Sequence, residues 1–149
     1  MYDHILLASD GTAASTNAES HAIALAASHD ATLQVLYVVD EDVYTAYSGD
    51  EYVDESEGPE HGLEEAGQET LARIRADAEA SGVDVTTTLK HGRPAESIIE
   101  TAEAADVDLL VLGTKRRPAE YRSLLGSITD KVLRLSERPA VVVKTEVEE

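Results

Sequence analysis

VLGTKRRPAEYRSLLGSITDKVLRLSERPAVVVK, running from Val111 to Lys144, decides the fold. It reads as the end of a buried strand, a glycine-containing loop, a helix opened by Gly126-Ser127, and a final strand from Ala140 to Val143. Leu112-Gly113-Thr114 closes the first apolar run, and Lys115, Arg116 and Arg117 follow at once. Within the helix, Ile128, Val132 and Leu135 share one face, and Ser127 followed by Asp130 has the spacing of a capping box. The first amides of such a helix lack intrahelical partners and lie at the positive end of its macrodipole. Strand, loop and helix start together therefore make a candidate anion site.

Outward from that stretch the chain alternates. His4 to Ser9 and Thr32 to Val39 read as buried strands, and Ala18, Ala22, Leu25 and Ala26 between them mark a helix packed on a sheet. Leu63, Leu71, Ile74 and Ala78 predict a second helix, interrupted by Gly67 and closed by Ser81-Gly82. Val83 to His91 alternates like a strand, and Pro94 suits the first position of a helix carrying Ile98, Ile99, Ala102 and Ala105. Asp108 to Leu112 and Ala140 to Val143 complete the order βαβαβαβαβ. Near-continuous apolar strands alternating with helices predict an α/β fold, a five-stranded parallel doubly wound sheet with helices on both faces. Such sheets bind ligands beyond the carboxyl ends of their strands, at the switch point. Asp10, at the end of the first strand, is placed either to meet a ribose or a metal-phosphate group there or to cap the first helix.

The 149 residues suit one domain, 1–149, with an acidic loop insertion at 40–60 that carries Tyr44, Tyr47 and Tyr52. No apolar run approaches a membrane span, and the amino-terminal residues lack a signal peptide's basic region, so a soluble, cytoplasmic protein is expected. There is no cysteine, which excludes disulfides, thiolate metal sites and a cysteine nucleophile. The net charge of −18 repels nucleic acid and anionic membranes, so a phosphate ligand needs a local exception. The exception is present: no Lys or Arg precedes Arg73, whereas residues 113–144 hold eight against three acids. Thirty acids against twelve bases, with no Phe or Trp, also predict a halophilic protein, since molar salt shrinks the screening length to ~3 Å.

Over essentially its whole length the chain resembles the universal stress protein family, from ILLASDGT through LQVLYVVDE and GRPAESIIETAEAADVDLLVLGT to GSITDKVLRLSERPAVVVK. In ATP-binding members the specific element is G-x-x-G, nine residues, then G-[S/T]. Gly113 and Gly126-Ser127 keep that frame, and Arg116 stands where the second glycine is expected. The resemblance implies the universal stress protein fold, similar to adenine nucleotide α hydrolases, and an ATP site, with Mg²⁺ accompanying the phosphates. Adenine and ribose contacts are implied near Ala8, Asp10, Val38, Leu112 and Gly113, and phosphate contacts at Gly126, Ser127 and Ile128. An arginine at 116 could block the pocket or force the loop outward, or its guanidinium could replace a backbone cradle for phosphate.

No P-loop, dinucleotide fingerprint, zincin or nucleophile-elbow motif occurs, the five histidines lack ligand spacing, and no general base stands out, so at most slow ATP hydrolysis and no metal-only site are expected. A response-regulator receiver would need a phosphoacceptor aspartate ending the third strand, where Lys90-His91 stand. The expected role is nucleotide-dependent signalling through shape or partners. The alternative is an interaction protein of the same fold without nucleotide. A homodimer through Ala140 to Val143 is expected, because that apolar strand would otherwise be an open sheet edge.

Overall fold

The computed structural model describes residues 2–12, 15–40, 59–116 and 127–146. Five strands alternate with four helices: β1 (His4–Ala8), α1 (Thr16–His29), β2 (Thr32–Asp40), α2 (Pro59–Ala80), β3 (Val85–Gly92), α3 (Pro94–Ala105), β4 (Leu109–Arg116), α4 (Ser127–Leu135) and β5 (Ala140–Glu146). All pairings are parallel, in the order β3-β2-β1-β4-β5. The winding therefore runs one way from β1 to β3, then returns to β4 on the other side of β1, which puts the switch point between β1 and β4.

Burial explains the order. Ile5, Leu6 and Leu7 of the central strand are fully buried, whereas the edge strand β3 carries Thr86, Thr87, Thr88 and Lys90 and is mostly half-buried. Side chains alternate between the two faces of the sheet. Ile5, Leu7, Val35, Val39 and Val111 pack against Ala18, Ala22 and Ala26 of α1 and Leu71, Ile74 and Ala78 of α2. Leu6, Leu36, Leu110 and Leu112 pack on the other face with Ile98 and Ala102 of α3 and Val132 of α4.

Several boundaries differ from the sequence reading. Val83 donates its amide to the Ala78 carbonyl, 3.0 Å away, so it closes α2 and β3 begins at Val85. β4 does not stop at Leu112: Gly113 to Arg116 pair in register with Val143 to Glu146, so both strands run longer than their apolar cores. Of the expected loop 40–60, Asp40 ends β2 and α2 begins at Pro59; residues 41–58, with the three tyrosines, lie outside the described residues. On α4 the expected apolar stripe is only partly covered. Val132 is fully buried, but Ile128 is 41% exposed and Leu135 59%.

The basic stretch also divides. Arg138 sits at the amino end of β5, where it binds Asp106 at 2.6 Å, Glu103 at 3.2 Å and the Val107 carbonyl at 3.0 Å. Lys131 pairs with Glu96, and Arg134 with Asp130. Three of the eight cations therefore neutralise local acids rather than a ligand.

At the same amino-terminal end, Asp108 Oδ2 accepts the amides of Asp3 (2.8 Å) and His4 (3.0 Å), joining the start of β1 to β4. These bonds to the charged carboxylate hold its pKa below the usual aspartate value. A depressed folded-state pKa contributes stability above the unfolded value near 3.9 that is lost as pH falls through the folded one. Asp108→Asn should therefore lower the melting temperature at pH 7, with the difference from wild type shrinking below pH 4.

Candidate functional site

β1 ends at Ala8, and the next residues turn sharply. Gly11 adopts φ +75°, and a Cβ there would lie 2.6 Å from Thr70 Oγ1 of α2. Asp10 organises the turn: its Oδ1 accepts the Thr12 amide (2.9 Å), the Thr12 hydroxyl (2.6 Å) and the Ser15 hydroxyl (2.8 Å). Asp10 therefore ties the turn rather than capping the first helix: among the described residues no amide of α1 donates to it, and Oδ2 makes no hydrogen bond. Ser9 accepts the Gly11 amide at 3.1 Å and donates to Glu19 Oε2 at 2.8 Å. Glu19 is 5% exposed, and Arg73 of α2 grips both its oxygens at 2.8 and 3.3 Å. A buried carboxylate is tolerated only when paired in this way. The pair links α1, α2 and the turn after β1.

A pocket of ≈ 290 Å³ opens beyond the carboxyl ends of β1, β2 and β4. Ala8, Leu36, Val38, Leu112 and Ile98 give it an apolar floor, and Ser9, Asp10, Ser15, Asp40 and Thr129 give it polar edges. Tyr37, Leu63, Pro94, Gly113 and Ile128 complete the wall. α4 is docked against it by the Thr129 hydroxyl, which donates to the Gly113 carbonyl at 3.1 Å. That bond brings the first turn of α4 to Gly113 of the switch-point strand β4. No Lys or Arg is among the described lining residues.

Six of the nine site residues expected from sequence meet in this pocket: Ala8, Asp10, Val38, Leu112, Gly113 and Ile128. Arg116 is the last residue of β4 and Ser127 the first of α4, but their side chains lie outside the described residues, as does Gly126 altogether. Leu36, Tyr37, Asp40, Ile98 and Thr129 were missed. Leu36 was recoverable, because it lies two residues before Val38 on the same face of the strand. Ile98 and Thr129 depend on where α3 and α4 dock, which no local pattern carries.

A profile described as the universal stress protein family matches residues 1–144. The chain belongs to that family. Universal stress protein MJ0531 of Methanocaldococcus jannaschii is 35% identical over 97% of this chain and 83% of its own length. The solved structure of MJ0577, from the same organism, superposes with a TM-score of 0.77 at 27% identity, covering 99% of each chain. A family protein of Arabidopsis thaliana solved with AMP bound shares the fold at 15% identity, with a TM-score of 0.67 over 96% of this chain and 92% of its own. Among the described residues no helix is long and apolar enough to cross a membrane.

Proposed function

We propose that this universal stress protein binds ATP in the switch-point pocket and acts through the shape or partners of its nucleotide-bound state, in the cytoplasm, with at most slow ATP hydrolysis. The observation that carries the reading is the pocket itself: an apolar floor for a planar base, a fixed carboxylate at its edge, and a helix start held beside the glycine that follows the apolar run of β4. In this reading Ala8, Val38 and Leu112 flank the adenine. Asp10, locked through Oδ1, offers Oδ2 to the ribose, and Gly113 lets the ligand lie against the backbone. The amides of Gly126, Ser127 and Ile128 meet the phosphates. AMP bound to the Arabidopsis relative supports an adenine ligand.

The acids of the pocket and the chain's net charge of −18 oppose a polyphosphate, so countercharge must come from Arg116 and its neighbours and from Mg²⁺. The metal would arrive on the phosphates, because no group of three or more His, Asp or Glu side chains among the described residues is placed to cage one. The acidic surface belongs, in the same reading, to a protein working at high salt. Excess ATP with Mg²⁺ should therefore raise the melting temperature in molar KCl. At a hundredfold over the dissociation constant the gain is about 2.7 kcal/mol, a shift of roughly 5–10 °C. Asp10→Ala should lose most of that shift. No response of wild type to millimolar ATP would refute the reading.

A second reading, an interaction protein that has lost the nucleotide through Arg116, draws on α4, where Ile128, Leu133 and Leu135 are 41%, 37% and 59% exposed. Apolar surface of that kind serves partner binding. Rescue of ATP binding by Arg116→Gly in a wild type that binds none would favour it.

The proposal includes a homodimer. β5 is the outer strand beside β4, and its Val141, Val142 and Val143 are only partly buried in one chain. Pairing with a second β5 removes that edge. Light scattering should return a two-chain mass, and Val142→Asp a one-chain mass; a wild-type monomer would contradict the dimer.

A further inference from the structure

We propose that Tyr37 is a specificity-determining residue which, together with Asp10, reads a vicinal diol, the ribose edge of the nucleotide. The inference rests on the nucleotide reading above and adds to it a residue and a discrimination that it does not contain.

Tyr37 lies in β2, is 7% exposed and lines the pocket. Its ring fits against α2 only because residue 67 is glycine: a Cβ there would lie 2.6 Å from Cδ1 and 2.8 Å from Cε1 of the ring. Glycine is a poor residue for the interior of a helix, so α2 accepts a local defect where the phenol is seated. Yet the hydroxyl makes no hydrogen bond among the described residues, whereas a buried tyrosine hydroxyl normally finds a partner. Asp10 stands in the same pocket in a complementary condition. Three donors from Thr12 and Ser15 fix its Oδ1, and Oδ2 has none.

The phenol stays protonated. Burial raises its pKa first, and the Asp10 charge raises it further. Asp10 and Tyr37 thus line one cavity, and no hydrogen bond joins them. An amino group would satisfy the carboxylate alone. Two adjacent hydroxyls satisfy both, one donating to Asp10 and the other accepting from Tyr37. A site built to hydrogen-bond a substrate hydroxyl rejects the analogue that lacks it, because its own polar groups are then left unpaired.

The test is calorimetric titration of wild type and Tyr37→Phe with ATP, 2′-deoxy-ATP and 3′-deoxy-ATP in molar KCl. Melting temperatures of the free proteins serve as the packing control. Wild type should bind ATP about tenfold tighter than either deoxy analogue. Tyr37→Phe should lose about five- to tenfold in ATP affinity and bind one of the two deoxy analogues as wild type does. Equal wild-type affinity for all three ligands would overturn the proposal while leaving nucleotide binding intact. So would a Tyr37→Phe protein that binds ATP like wild type, or one weakened by the same factor for all three. A wild type that binds no adenine nucleotide would overturn this inference together with the reading beneath it.

Discussion

Arg116→Ala is expected to weaken ATP binding about ten- to hundredfold and to leave AMP binding nearly unchanged. The described walls of the pocket contribute Asp10 and Asp40 but no cation, and the chain carries a net charge of −18. If ATP binds as proposed, neutralising the triphosphate would fall to the segment that follows Gly113. β4 continues three residues beyond that glycine, paired with β5, so Arg116 begins ~10 Å further along the strand. In the proposed nucleotide complex that distance would suit the outer phosphates rather than the one nearest the ribose. Hydrogen bonds to charged groups contribute about 1.5–3 kcal/mol, which sets the expected factor. Calorimetric titration of both proteins with ATP and AMP checks it. Tighter ATP binding by Arg116→Gly would reverse the sign and make the residue an obstruction.

Gly67→Ala should destabilise the protein by about 1–3 kcal/mol, against the usual gain from replacing a helical glycine. The new methyl would meet Tyr37 Cδ1 at 2.6 Å and Leu89 Cδ1 at 2.9 Å, and neither can retreat without disturbing the sheet face beneath α2. Thermal denaturation should show a fall of several degrees, and Gly62→Ala, with open space around its Cβ, should show none. A higher melting temperature for Gly67→Ala would mean that the ring is not held as described.

The sequence reading of Gly67 as a weakness in the α2 stripe was correct about propensity and blind to packing. Its purpose depends on a ring in β2, thirty residues earlier. The fold was legible because burial on both faces writes itself into β1 and into Val35 to Val39 of β2 as apolar runs, and the helix between them shows its alanine stripe. Ala8, Asp10, Val38, Leu112 and Gly113 line one pocket because strand ends gather at one side of a parallel sheet. Long-range polar partnerships left no such trace. Glu19 looks like any helical surface acid until Arg73 and Ser9 close on it. Arg138 is counted with the basic stretch in sequence but belongs to the opposite end of the sheet. The ends of β4 and β5 were missed because Thr114 to Arg116 and Lys144 to Glu146 pair through their backbones, with no apolar signal.

The most direct test of nucleotide binding at the switch-point pocket is calorimetric titration of the purified chain with ATP and Mg²⁺ in molar KCl, alongside a variant in which Ala8 is replaced by leucine to fill the apolar floor. Saturable binding of one ATP per chain, competed by AMP and abolished in Ala8→Leu, is the predicted result. No binding at millimolar ATP, or binding that Ala8→Leu leaves unchanged, would contradict it.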